Sequence, residues 1–214
     1  MFAAMTRDIT FPLFNACANY SKQTRRRRLA VQEAENWQDE EIIFGDKLVL
    51  KSIHEKYAEA LFDLVMHNQA WLQKAMDWPQ YVTSVEDIRK TAQGNYMLHH
   101  HGGAKMFLIY RRDEMIGVFS FNAIEQTNKT AYIGYWLDED MQGQGIISRA
   151  IEAVVAKYSK EGTIRRFVIK CRVANEASNR VARRSGFTLE GCLRQAEYLN
   201  GQFHDQNIYA RIIA

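Results

Sequence analysis

No apolar run in the 214 residues approaches the length that crosses a bilayer, and the N-terminus has no apolar stretch followed by a small-residue cleavage site. Neither a membrane anchor nor a secretory leader is expected. Cysteine is scarce: Cys17, Cys171 and Cys192 are odd in number, far apart and free of C-x-x-C spacing, which argues against a disulfide framework and against a zinc site. Reduced thiols in a cytoplasmic setting are the expectation, with no metal. Excess charge is lacking too. A net +3 from 28 basic and 25 acidic residues falls short of the clustered positive excess of an obligate nucleic-acid binder, yet permits attraction to an acidic protein. There is no internal repeat. What is present is ordinary globular composition, 47% hydrophobic and 25% charged, in a length that suits one domain with or without an extension.

Residues 1–41 differ from the rest. Apolar residues there follow no sustained period, Arg25 to Arg28 is a basic run, and Asp39-Glu40-Glu41 closes the stretch with acid. This reads as an N-terminal extension outside the core, with the basic run a solvated segment rather than an RNA grip. The domain is expected over 42–214. KLVLKSI is its first strand, and HEKYAEALFDLVMHN a helix with Tyr57, Leu61, Leu64 and Val65 along one face. QAWLQKAMDWPQYV gathers Trp71, Trp78 and Tyr81, as core packing or as the aromatic wall of a substrate cleft. Ser84-x-x-Asp87 has capping-box spacing at the start of a helix that ends in His99-His100-His101. Three consecutive histidines diverge around a helix, so a solvent-facing helix end suits them better than a metal.

KMFLIYR, MIGVFSFNAIE and TAYIGYWL follow as an antiparallel meander, with Gly134 expected to mark a bulge that frees a backbone N–H. After TAYIGYWL comes Gln142-Gly143-Gln144-Gly145-Ile146-Ile147, a glycine-punctuated turn into a helix striped by Ile146, Ile147, Ala150, Ile151, Val154, Val155 and Tyr158. Strand, turn and helix aim free N–H groups and the positive helix end at one spot, where a phosphate would bind. RRFVIKCR is a further strand, parallel to its predecessor if adjacent. Asn175 to Arg184 is a short helix stopped by Gly186, and the strands CLRQAEYL and QFHDQNIYARII close as a hairpin on Asn200-Gly201.

Gln142-x-x-Gly145 after a WLDED strand end resembles the pyrophosphate signature of the GNAT acetyltransferases, usually Q/R-x-x-G-x-G/A, with Ile147 here at the last position. The order of elements from Lys47 onward resembles the same family. SFNAIE, AYIGYWLDE, GQGI, RRFVIKCRV, ASN-x-VARR, FTLEGC and QAEYLNG look like its RimL type, the ribosomal-protein N-terminal acetyltransferases. The resemblance implies an α/β (α+β) fold with a mixed, mostly antiparallel twisted sheet of about seven strands and helices on both faces. It implies acetyl-CoA as cosubstrate and, as acceptor, the N-terminal serine amine of the acidic ribosomal stalk protein, in a homodimer. It further implies that the cosubstrate meets Tyr135, Trp136, Leu137, Gln142, Gly143, Gln144, Gly145, Ile146, Ile147, Asn175 and Asn179, with Glu197 as base and Ser178 as acid.

The residues themselves give these roles a physical basis. An α-amine with a pKa near ~8 is mostly protonated at neutral pH and needs a base. In LRQAEYL a period of two sets Leu193, Gln195, Glu197 and Leu199 on one face, where apolar surroundings raise a carboxylate's pKa; the alternative is a hairpin surface charge. Ser178, one turn into a helix, is placed either to protonate a departing thiolate or simply to cap. Cys171 sits in an apolar strand with no nearby histidine, so direct transfer is expected over an acetyl-cysteine intermediate. Two other functions stay open: acetylation of a polyamine, antibiotic or peptide toxin, and a non-catalytic module that binds coenzyme A or RNA.

Overall fold

The computed structural model describes residues 39–213. The extension up to residue 38, with the Arg25 to Arg28 run and Cys17, lies outside the described residues. The elements in chain order are β1 (Glu41–Ile43), β2 (Leu48–Ser52), α1 (Ala58–His67), α2 (Gln69–Leu72), α3 (Val85–His101), β3 (Lys105–Arg111), β4 (Glu114–Glu125), β5 (Thr130–Leu137), α4 (Ile146–Lys160), β6 (Arg166–Arg172), α5 (Glu176–Arg184), β7 (Thr188–Leu199) and β8 (Gln202–Ile212). The strands form one sheet of eight in the order β1-β2-β3-β4-β5-β6-β8-β7. The strand beyond the seven expected is β1, whose three residues are too few to show a period; it pairs with β2. Every neighbouring pair is antiparallel except β5 and β6, which the α4 crossover makes parallel.

Helices cover both faces, and alternation along β5 divides its side chains between two cores. Ile133, Tyr135 and Leu137 enter the core under α4 and α5, while Trp136 enters the one under α1 and α3 and lies 6.4 Å, centroid to centroid, from Trp78. Local chemistry sets the boundaries. Ser84 and Asp87 form the full capping box of α3, Gly102 ends it at φ 72°, and Asn200 and Gly201 turn the last hairpin at φ 51° and 81°.

Two expectations are corrected and a third holds in part. Gly134 marks no bulge: the register slips on β4, between Phe121 and Ala123. At Gly134 a Cβ would stand 2.7 Å from the Asn122 amide and 2.9 Å from Ser120 Oγ, so glycine makes room there for the opposite strand. The histidine run is not uniformly solvent-facing, since His99 is buried and its Nε2 lies 3.0 Å from Glu40. The run LRQAEYL keeps its face but not its regularity. Leu193 pairs with Gln206, Glu197 with His204 and Leu199 with Gln202, so two extra β7 residues bulge out, Gln195 takes φ 51°, and the even insertion leaves Leu193, Glu197 and Leu199 on one face, with Leu193 exposed and the other two buried.

Glu40 closes one end of the sheet. Its carboxylate accepts from Tyr158 of α4 at 2.6 Å, Lys105 of β3 at 2.9 Å and His99 of α3, with Lys157 at 3.4 Å. Its backbone N–H donates to Ser52 Oγ at 3.0 Å and its carbonyl accepts from Ser52 N at 2.8 Å. Burial pushes the carboxyl pKa up, but the His99 and Tyr158 hydrogen bonds and the Lys105 charge together hold it well below the usual carboxylate range. A depressed folded-state pKa adds stability that is present above the unfolded value, about 4.3, and is lost as pH falls below it. Glu40→Gln is therefore expected to cost about 2–3 kcal/mol at pH 7. Denaturant titrations should show that gap narrowing as pH falls below about 4; a gap independent of pH would contradict this account.

Candidate active site

The site begins where a ladder stops. β5 and β6 pair from Thr130–Arg166 to Ile133–Ile169 and no further, although β5 runs on to Leu137 and β6 to Arg172. Beyond Ile169, β6 keeps its register with β8 as far as Arg172–Gln206, and beyond Ile133, β5 keeps its register with β4 as far as Leu137–Gly117. The two strands thus diverge into a wedge-shaped gap between residues 134–137 and 170–172. A strand edge inside a domain presents backbone donors and acceptors, the surface on which an extended amide-bearing chain forms hydrogen bonds.

The glycine turn lies beyond the end of β5. Asn68 Nδ2 donates to Asp138 Oδ2 at 3.0 Å and Glu139 N donates to Asn68 Oδ1 at 3.0 Å, which anchors the DED segment leading into the turn. Gly143 and Gly145 adopt φ 74° and 71°, left-handed values that favour glycine, and a Cβ on either would meet nothing within 4 Å. Glycine is required there for backbone path, with open space left above it. Gly145 is the N-cap of α4, with no side-chain cap and no acidic residue in the first turn, so the leading N–H groups of the helix keep their donors for an anion. Ile146 and Ile147 turn into the core and clear the approach, which explains how isoleucine is accommodated at the last signature position. Arg111 Nη1 donates to Gln144 Oε1 at 3.0 Å, and Arg149 Nη2 to the Gln144 carbonyl at 3.4 Å, adding two cations to the turn.

On the α4–α5 face of the gap stand Tyr135, Cys171 and Ser178. Ser178 is fully buried, its N–H donates to the Asn175 cap at 3.2 Å, and its hydroxyl has no hydrogen-bond partner among the described residues. The Tyr135 hydroxyl is likewise buried and unpartnered. Burial pushes its pKa up, with the adjacent Ser178 hydroxyl opposing. Two buried hydroxyls that lie side by side without a well-formed hydrogen bond between them are a costly arrangement that a polarisable ligand atom would relieve. Burial also pushes the Cys171 thiol up to about 12, with the Glu197 charge adding to the effect, so the thiolate is scarce at neutral pH.

Asn179 has a different occupation from the one expected. Its Nδ2 donates to the carbonyls of Asn175, Arg172 and Val173 at 2.8, 3.0 and 3.3 Å, and its Oδ1 accepts from Asn207 Nδ2 and Tyr209 OH, both at 2.7 Å. The amide is spent on joining α5, β6 and β8.

Glu197 faces the gap from β7 and is 4% exposed. Burial raises its pKa; the Arg172 charge, 3.7 Å from Oε2, and a hydrogen bond from Gln206 Nε2 at 3.3 Å oppose that. Arg172 follows Cys171 on β6 and so points to the opposite face, where its Nη2 donates to the Lys74 carbonyl at 2.9 Å. The gap thus carries a hydroxyl pair on one face and a carboxylate on the other. Sequence reasoning missed Arg172 and Gln206; the alternation in RRFVIKCR, with Cys171 inward, carried the signal for the first. The aromatic stretch divides: Trp71 and Trp78 pack in the α1–α3 core, and Tyr81 is exposed. His67, Asp138 and Asp140 bring ligand-type atoms within 4.8 Å of one another, but the Asp138 oxygens already accept from Asn68 and from Asp140 N.

Comparison with known proteins gives the site its context. Residues 47–188 match the family described as acetyltransferase (GNAT) domain. The chain is 57% identical over 174 residues, 81% of its length and 97% of the relative's, to the ribosomal-protein-serine acetyltransferase of Escherichia coli. Among solved structures it is similar to RimL, a ribosomal L7/L12 alpha-N-protein acetyltransferase held with coenzyme A in a disulfide to one of its cysteines. That similarity amounts to a TM-score of 0.80 and 60% identity, covering 81% of this chain and 98% of the other. It is similar also to the microcin C7 self-immunity acetyltransferase MccE in complex with acetyl-CoA and AMP, with a TM-score of 0.78 and 42% identity over 79% of this chain and 94% of that one.

The framework occupation of Asn179 is testable apart from any ligand. Asn179→Leu takes one donor from each of three carbonyls, of which those of Asn175 and Arg172 keep a backbone N–H, and takes the Oδ1 acceptor from Asn207 and the buried Tyr209 hydroxyl, so the expected loss is about 3 kcal/mol in denaturant unfolding. A variant of undiminished stability that binds coenzyme A poorly would mean that the amide serves the ligand instead.

Proposed function

The chain belongs to the GNAT acetyltransferases, and from that membership we propose that it moves the acetyl group of acetyl-CoA to the N-terminal serine amine of the acidic ribosomal stalk protein. The observation that carries the mechanism is the gap between β5 and β6, with a buried carboxylate of raised proton affinity on one face and a buried, unpartnered hydroxyl on the other. The identity to a ribosomal-protein-serine acetyltransferase supports the acceptor. The unpaired strand edges, the uncapped α4 N-terminus and the orphaned hydroxyls suit pantetheine, pyrophosphate and thioester sulfur respectively.

When bound, acetyl-CoA supplies an activated thioester. In this reading the turn at Gln142 to Ile147 binds the pyrophosphate through its amides, with Arg111 and Arg149 near the charge. The freed edge at Tyr135, Trp136 and Leu137 holds the pantetheine amides, and an N–H near Gly134 or Tyr135 faces the carbonyl oxygen. Asn175 caps α5 and aims Ser178, while Asn179 contributes by holding α5 against β6 and β8. Glu197, with its pKa lifted by burial, takes a proton from the incoming ammonium. The Ser178 hydroxyl donates to the departing sulfur. Cys171 takes no covalent part, because its thiol stays protonated; the relative with a coenzyme A–cysteine disulfide supports a thiol end close to a cysteine of the gap.

Cytoplasmic action belongs to the proposal, since a ribosomal acceptor is met there; no helix among the described residues is long and apolar enough to cross a membrane. So does a homodimer without stable nucleic acid, supported by the exposed Leu189 and Phe203 on the outer hairpin. The likeness to MccE favours one second reading, acetylation of a toxin amine.

The deciding experiment offers acetyl-CoA with the stalk protein, serine-ended peptides, an amine-bearing peptide toxin and polyamines, and locates the added acetyl mass. Acetyl on the stalk serine amine is expected, and exclusive modification of the toxin would move the assignment to the second reading. Glu197→Gln should lower turnover about 10²-fold or more and abolish the acidic limb of its pH profile, with the affinity for acetyl-CoA nearly unchanged. Cys171→Ala should keep most of the turnover. Parallel loss of cofactor affinity and turnover in Glu197→Gln would reduce that residue to a structural part.

A further inference from the structure

Arg172 sits where three parts of the site meet. Its guanidinium stands 3.7 Å from Glu197 Oε2 through Nε and donates through Nη2 to the Lys74 carbonyl at 2.9 Å. Its own carbonyl accepts from Asn179 at 3.0 Å, in the cluster that seats α5 and Ser178. Lys74 belongs to the segment after α2. The same segment is held a second time, since Asn200 Nδ2 at the tip of the β7–β8 hairpin donates to the Gln73 carbonyl at 3.3 Å. The α2 segment and the last hairpin are therefore clasped across the Glu197 face of the gap, the face opposite Ser178 and the one left for an acceptor.

Resting on the reading of Glu197 as base, we infer that Arg172 is the positioning residue of the acceptor side. It fixes the carboxylate in the gap and ties it to the segment that roofs the cleft. Gln206 alone, at 3.3 Å, makes a long single bond to Oε2 and leaves the carboxylate free to swing. The guanidinium, 3.7 Å from the same oxygen, adds a charge contact that biases the carboxylate toward β6 and, through Nη2, links it to the Lys74 segment.

The same charge restrains the proton affinity that burial creates. The ionisable groups near the carboxylate are Arg172 and Cys171 on β6, His204 opposite it on β8, and Asp205, which accepts from Gln195 N within the bulge at 2.8 Å. Arg172 is the cation that lowers the carboxyl pKa. Without it the carboxylate holds its proton to higher pH.

Arg172→Gln is therefore expected to move the acidic limb of kcat/KM up by about one pH unit. It should also raise the acceptor KM several-fold and leave the affinity for acetyl-CoA unchanged. Arg172→Lys keeps the charge and loses the planar bond to Lys74, so its limb stays near that of the parent while the acceptor KM rises. Asn200→Ala, which loosens the same segment without touching Glu197, raises the acceptor KM and leaves the limb in place. An Arg172→Gln limb that stays put, measured beside a Glu197→Gln enzyme that has lost the limb, overturns this inference and spares the base. A Glu197→Gln enzyme that keeps the limb overturns both.

Discussion

One interrupted pairing governs this molecule. Parallel neighbours normally continue their ladder while both strands last, yet β5 and β6 separate after four residue pairs, from Thr130–Arg166 to Ile133–Ile169. Opening a sheet inside a domain leaves peptide groups without partners, each worth about 1–3 kcal/mol when buried dry. The surroundings must make the opening rigid and must supply something that uses the exposed groups. Much of the remaining architecture meets these two demands.

Rigidity comes from both flanks. β4 stays paired with β5 through Leu137, and β8 stays paired with β6 through Arg172, so each margin of the gap is backed by intact sheet. Asn179 fastens α5 to the β6 margin, and Asn68 fastens the segment after β5 to the helix α1. Tyr158 and Lys157, at the far end of the helix whose first turn faces the glycine loop, are tied to Glu40. Strand alternation then sorts the side chains: because Cys171 and Arg172 point to opposite faces, the Ser178 hydroxyl and the Glu197 carboxylate fall on opposite sides of one opening. In the proposed reaction this keeps the cosubstrate's sulfur and an approaching amine on separate paths.

Much of this was legible in the sequence, for identifiable reasons. Strong local signals held: the Ser84–Asp87 capping box, the Asn200-Gly201 turn, the glycine turn before an apolar helix and the parallel crossover. Periodicity alone did not show where the backbone is irregular. The β7 bulge inserts two residues, which keeps Leu193 on the face of Glu197 but leaves it exposed, where burial beside the carboxylate was expected. Gly134 looked like a bulge, but its lack of a side chain serves the Asn122 amide on the neighbouring strand, which no local pattern reveals. Glu40 looked like the acidic end of an extension because its partners, His99, Lys105 and Tyr158, are distant in the chain. Side-chain budgets were equally invisible: Asn179 suits a pantetheine amide by type, and only the fold shows that its own neighbours already use it.

The central claim is that the gap and the glycine turn together form one continuous groove for coenzyme A. Backbone amide shifts followed by NMR as coenzyme A is added test it most directly. The account predicts the largest changes at Gly143 to Ile147, at residues 134–137 and at residues 170–172, with the β1–β2 end of the sheet unmoved. Tight binding with those three segments silent and changes elsewhere would contradict it.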